Sequence, residues 1–132
     1  MGQFLLHSAR DGGRLEVSDL GRDRWQVTLS LPGLSARAEF DAFAYDGEHT
    51  LGLLFRRLAD EWRGWEGETT WSSLEGDFDL TATHDGLGHV ALQVRLRSGP
   101  YAEDWVAMGT IWLDAGQLDA VARDAAAFAG GR

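Results

Sequence analysis

The sequence predicts an α+β domain: a largely antiparallel β-sheet of about six or seven strands with two helices packed on one face, in the order β-β-β-α-β-β-β-β-α. Three observations predict it. Hydrophobic residues alternate with period two in blocks on both sides of one block of period 3.6. An alanine-rich helical stretch closes the chain. The links between blocks are short, so consecutive strands are expected to pair as antiparallel neighbours. One domain spanning residues 1–132 accommodates all of this, and a chain of that length buries roughly two-thirds of its unfolded surface.

Taken in order, "FLLHS" (4–8) is a candidate additional edge strand. "RLEVSDL" (14–20) follows the turn signal Asp11-Gly12-Gly13, and "RWQVTLSL" (24–31) places Trp25, Val27, Leu29 and Leu31 on one side. After the Pro32-Gly33 turn, "SARAEFDAFAY" (35–45) sets Ala36, Ala38 and Phe40 opposite Arg37, Glu39 and Asp41. The period then changes. Leu51, Leu54, Phe55, Leu58, Trp62 and Trp65 form one stripe, with Arg56, Arg57, Asp60, Glu61 and Arg63 behind it. This predicts an amphipathic helix over 48–62, closed by Gly64 and Gly67. Strands follow at 68–74, 77–85, 89–97 and 104–114, and Asp114 with Gln117 has the spacing of a capping box for the last helix. Leu118, Val121, Ala122, Ala125 and Phe128 share a face of that helix, and Gly130-Gly131 ends it.

Composition excludes several chemistries. There is no cysteine, hence no disulfide, thiolate nucleophile or cysteine-ligated zinc. All twelve basic residues are arginine, which excludes a lysine Schiff base. The N-terminal stretch shows no basic leader with a long apolar run, and no segment approaches a membrane span, so the expectation is a soluble cytoplasmic protein. The net charge of -9 is uneven: residues 1–66 hold 11 acidic and 8 basic side chains, residues 67–132 hold 10 and 4. Such a field repels phosphate backbones and attracts a basic protein, so the expected partner is a basic protein and not nucleic acid or membrane.

The most chemical-looking stretch is "THDGLGHV" (83–90), where His84, Asp85 and His89 surround a glycine loop. Two histidines and a carboxylate suit zinc or acid–base work. Register tests the idea. Phe78, Leu80, Ala82 and His84 share one face, as do Val90, Leu92, Val94 and Leu96. Joining those faces pairs 84 with 90, 82 with 92 and 80 with 94 around a three-residue loop. The same register sets Asp79 opposite Arg95 and Asp77 opposite Arg97 on the outer face. His89 then pairs with Asp85 on the polar side while His84 points to the apolar side, and the two cannot share one ion. No phosphate loop or nucleophile elbow is present either, so no cofactor, metal or catalytic residue is assigned and the chain is expected to be non-enzymatic.

The six tryptophans separate by periodicity. Trp62 and Trp65 fall on the helix stripe, and Trp25 and Trp105 on the apolar side of their strands. Trp71 lies between Thr69 and Ser73, with neither side of its strand apolar, and is expected to be half exposed. Trp112 shares parity with Val106 and Met108, leaving that strand apolar on both faces. A patch of Val106, Met108, Trp112 and Trp71, rimmed by Glu66, Glu68 and Glu75, has the composition of an interface. A homodimer through that patch is the competing use. A ligand pocket between the first helix and the sheet, near Trp62, Trp65 and His84, is the alternative reading.

The string "WRGWEGETTWSSLEGDFDLTATHDGLGHVALQVRL", continuing into "GQLDAVARDAAAF", resembles a family of small actinobacterial proteins of unknown function over roughly residues 48–128. The helix, meander and closing "LD..GQL" helix are similar in layout to the WapI-type immunity proteins. The first resemblance implies no catalytic residues. The second implies a toxin-neutralising protein whose acidic face meets a basic toxin.

Overall fold

The computed structural model describes residues 2–44, 50–99 and 104–130. The strands are β1 (Gln3–His7), β2 (Arg14–Gly21), β3 (Arg24–Leu31), β4 (Leu34–Asp41), β5 (Thr69–Ser72), β6 (Phe78–His84), β7 (His89–Arg97) and β8 (Val106–Asp114). Helix α1 (Leu51–Asp60) separates the first four from the second four, and α2 (Leu118–Ala129) follows β8 through a 3-10 turn. The class is α+β, but the strands number eight and form two antiparallel four-stranded meanders, β1-β2-β3-β4 and β5-β6-β7-β8. The expectation of one sheet of six or seven strands is corrected accordingly. Each meander buries one face, and eight strands in one layer would need far more cover than two helices supply. Two sheets meeting face to face cover each other.

In the first sheet the inward rows are Phe4–Val17–Val27–Ala38, Leu6–Leu15–Leu29–Ala36, and Trp25–Phe40. In the second, Trp71–Leu80–Val94 and Phe78–Leu96 align likewise. Phe40 meets Phe78 at 5.3 Å between ring centres, tying the sheets into one core. Gly109 of β8 has no room for a Cβ, because Leu31 of β3 is seated there. The sheets are also sewn at two corners. Ala9 N–H donates to the Trp112 carbonyl at 2.8 Å and Trp112 N–H to Ser8 Oγ at 3.1 Å, joining the end of β1 to β8. Ala44 bridges Ser73, and Leu74 N–H donates to the Phe43 carbonyl at 2.8 Å.

The helices close the side between β1 and β5. Phe55 of α1 and Phe128 of α2 reach Phe4, and Phe128 lies 5.0 Å from Trp25. The two helices approach so closely that a Cβ on Gly52 would sit 3.1 Å from the Ala126 Cα. Arg56 of α1 spans to Asp119 of α2 at 2.8 Å, and Asp119 also takes Arg123 at 3.0 Å. Those partners lower the Asp119 pKa, with the Arg56 hydrogen bond the chief cause, and raise that of Arg56.

Local signals explain the ends. Thr50 Oγ1 accepts the Leu53 N–H at 3.1 Å, capping α1. The expected helix start at Glu48, the strand end at Tyr45 and Gly131 lie outside the described residues. Gln117 Oε1 accepts the Asp114 N–H at 2.8 Å, one arm of the expected capping box. Gly130 ends α2 in the left-handed conformation, φ 57°. The 78–97 hairpin has the expected register throughout, with Asp79–Arg95 at 2.9 Å and Asp77–Arg97 at 3.7 Å. No helix among the described residues is long and apolar enough to cross a membrane.

Candidate interaction surfaces

The loop between α1 and β5 brings Trp62, Trp65 and His84 together, as a filled joint. Helix α1 stops at Asp60, where Glu61 leaves helical geometry (φ -101°, ψ 29°), and the chain then turns on through Gly64 at φ 134°. Trp62 therefore lies past the buried stripe and is 51% exposed, with the Arg63 guanidinium 5.1 Å from its ring. The expected core role for Trp62 is corrected. Trp65 is half-buried: its Nε1 donates to the Ala82 carbonyl at 3.3 Å and its ring meets His84 edge-on at 5.1 Å. His84 Nδ1 accepts the Gly86 N–H at 2.8 Å, which leaves the proton on Nε2 to donate to the Trp62 carbonyl at 2.9 Å. Both ring nitrogens are thus occupied in positioning the loop. The crevice between α1 and β5, lined by Leu53, Arg57, Thr70 and Trp71 among others, measures only about 50 Å³. Ligand sites run to several hundred.

Trp71 is 4% exposed and faces the core. It stands opposite Leu80, and its ring meets Phe78 edge-on at 5.4 Å. The expectation that it presents itself to a partner is corrected. Its same-side neighbours Thr69 and Ser73 are buried too, and Ser73 Oγ accepts the Phe78 N–H at 3.1 Å, so a polar residue fills an inward position without an unpaired group. Carrying the face of β6 back through its short turn onto β5 is the signal that would have placed Trp71 inside.

The expected composite patch falls into two parts. Glu66, Glu68 and Glu75 bracket β5, all exposed and without an ion-pair partner among the described residues. Exposed Trp62 and Leu74 stand beside them in sequence. Val106 and Met108 lie on the outer face of β8, 51% and 49% exposed, and Trp112 is half-buried beneath the Arg10 guanidinium, 3.6 Å from its ring. β5 and β8 are opposite edges of one sheet, three strand spacings or about 14 Å apart. The apolar strand is thus flanked by arginines (Arg10, Arg95, Arg97) and not by those glutamates. Trp105, expected inside, lies just before β8 and is 43% exposed, so it extends the apolar strip. Nothing in the alternation reveals this, since position 105 has inward parity but no covering layer.

His89 and Asp85 form the expected outer pair, Nδ1 to Oδ2 2.7 Å. Burial opposes ionisation of Asp85, but the Leu87 amide, the His89 ring and the His89 amide outweigh it and hold the carboxyl down at about 2. The pair braces the Gly86-Leu87-Gly88 turn. Among the described residues no three His, Cys, Asp or Glu side chains gather as metal ligands do.

A family profile described as a family of unknown function, DUF6228, matches residues 10–132. No curated protein and no solved structure matches the chain.

Proposed function

The chain belongs to that family of unknown function, and we propose that it is a non-enzymatic interaction domain that binds and inhibits a basic protein, as an immunity protein does. The observation that carries this reading is the group Glu66, Glu68 and Glu75, exposed and uncompensated around β5 in a chain of net charge -9. β5 has four residues, a span of about 13 Å, so the carboxylates stand at both ends of a contact-sized strip with Trp62 and Leu74 as apolar anchors. The long-range field speeds encounter with a cationic surface, and the strip then meets it at close range.

The test is affinity capture from the native host, followed by calorimetry with the purified captured protein at 50 and 500 mM salt. A basic partner bound more weakly at high salt is expected. The triple variant Glu66→Arg, Glu68→Arg, Glu75→Arg should weaken it by about tenfold or more, three exposed pairs at roughly 0.5 kcal/mol each. An acidic partner, or affinity indifferent to both salt and the triple variant, overturns the reading.

A further inference from the structure

The segment between α1 and β5 hangs on few contacts. Among the described residues, two hydrogen bonds join residues 62–67 to the sheet: Trp65 Nε1 to the Ala82 carbonyl, and His84 Nε2 to the Trp62 carbonyl. The edge contact between the Trp65 and His84 rings is the third tie, so two of the three run through one imidazole. That imidazole is half-buried and its bonding is asymmetric. Nδ1 accepts the Gly86 N–H at 2.8 Å and must stay unprotonated to do so, while Nε2 carries the proton given to Trp62. The Nδ1 side is also closed by the segment itself, since a Cβ on Gly64 would stand 3.4 Å from that atom.

A second proton on this ring would set Nδ1–H against the Gly86 N–H across 2.8 Å, two donors facing each other. The Gly86 amide has little freedom to withdraw. Asp85 braces its turn through the Leu87 and His89 amides and the His89 ring, and with its carboxyl held down at about 2 it stays ionised throughout the range in which an imidazole titrates. Protonation of His89 turns their hydrogen bond into an ion pair, which tightens the brace. The other charged or titratable groups on the surrounding elements are Glu61, engaged by Arg57, then Arg63, Glu66 and Glu68, and Asp114 opposite His89. None of them bonds to the His84 ring, and β7 presents Val90 opposite it. The ring is therefore what gives way, and it takes the Trp62 carbonyl and the Trp65 edge contact with it. We propose that His84 is a pH-sensitive latch on residues 62–67: neutral, it holds the segment against the sheet; protonated, it lets go. Trp62 and Glu66 lie on that segment and Glu68 follows it, so acid disorders the surface that meets a basic protein and weakens binding. For this effect on binding the latch rests on the function proposed for those side chains.

Nuclear magnetic resonance of the full chain between pH 8 and pH 5 tests this, with long-range proton–nitrogen spectra of the imidazoles recorded beside the amide spectrum. At pH 8 the His84 proton is expected on Nε2. As the ring protonates, the Gly64 and Trp65 amides and the Trp65 indole should shift with the same midpoint. A proton on Nδ1 at pH 8, or signals from the segment that do not follow His84, overturns the latch on the wild type alone. His84→Gln keeps an N–H that reaches toward the Trp62 carbonyl but cannot titrate, and should abolish the response; a response that persists overturns the latch too. Calorimetry with the captured basic protein at pH 8 and pH 5.5 reads the consequence. Over that change the wild type should lose about fivefold or more in affinity relative to His84→Gln, because the freed segment has to be reordered to bind. If the segment opens in step with His84 while affinity holds, the latch stands and the placing of Glu66 and Glu68 in the contact falls.

Discussion

Replacing Trp71 by alanine separates a core tryptophan from a recognition tryptophan. The ring is 4% exposed, opposite Leu80 and edge-on to Phe78 at 5.4 Å. Truncating a buried tryptophan costs about 3–5 kcal/mol, the transfer of the ring plus the cavity left behind. The site lies beside a crevice of about 50 Å³ under α1, so its walls can partly collapse, and the lower part of that range, about 3–4 kcal/mol, applies. A domain of 132 residues unfolds with an entropy of about 0.28 kcal/mol per kelvin near its midpoint, so Tm should fall by about 10–15 °C. The assay is thermal and urea unfolding followed by far-UV circular dichroism, with the urea slope unchanged as the check on cooperativity. At temperatures where the variant is folded, its affinity for the captured basic protein should match the wild type. A fall in Tm below about 3 °C, with partner binding lost, would refute the placement of the ring in the core.

Three further outcomes follow from the geometry. Gly52→Ala, which in an open helix gains about 1 kcal/mol, should instead lower Tm by several degrees, because the new methyl meets the Ala126 backbone at 3.1 Å; a rise in Tm contradicts the helix packing. Arg22 and Asp23, both at positive φ (55° and 60°), form the β2–β3 turn, so the pair Arg22→Asn and Asp23→Gly should raise Tm by a few degrees. The Asp85 carboxyl is held at about 2 in the folded chain against an ordinary 3.8. Its contribution is therefore present above pH 3.8 and lost as pH falls through 3.8 to about 2. Urea titrations between pH 5 and 1.5 should show the wild type converging on Asp85→Asn over that window, and a constant gap would contradict the hold that the Leu87 amide and His89 have on the carboxylate.

Much of the fold is legible in the residues. Alternation locates β2, β3, β6, β7 and β8, and the matching of Asp79 with Arg95 and of Asp77 with Arg97 settles the 78–97 register before any coordinates. The stripe Leu51, Leu54, Phe55, Leu58 marks α1 because helical spacing brings those side chains to one side. The acidic half of the candidate site is equally visible, since Glu66, Glu68 and Glu75 have no apolar neighbours in a common period and are exposed. β5 is harder. Four residues long and flanked by Thr69 and Ser73, it has too little contrast between its faces to show which one is covered.

The sequence by itself determined which side chains share a face, where strands turn, and the sign of the field around the molecule. These follow from backbone period, turn chemistry and ionisable composition, all local properties. Only the tertiary structure decided which faces are covered. Trp71 is inside because a second sheet and α1 close over β5. Trp105 and Trp62, given apolar parity by their spacing, lie outside because the covering layer stops short of them. The structure also separated the glutamates from Val106 and Met108. Parity along a strand says nothing of how far apart two strands lie, and β5 and β8 prove to be opposite edges of the same sheet.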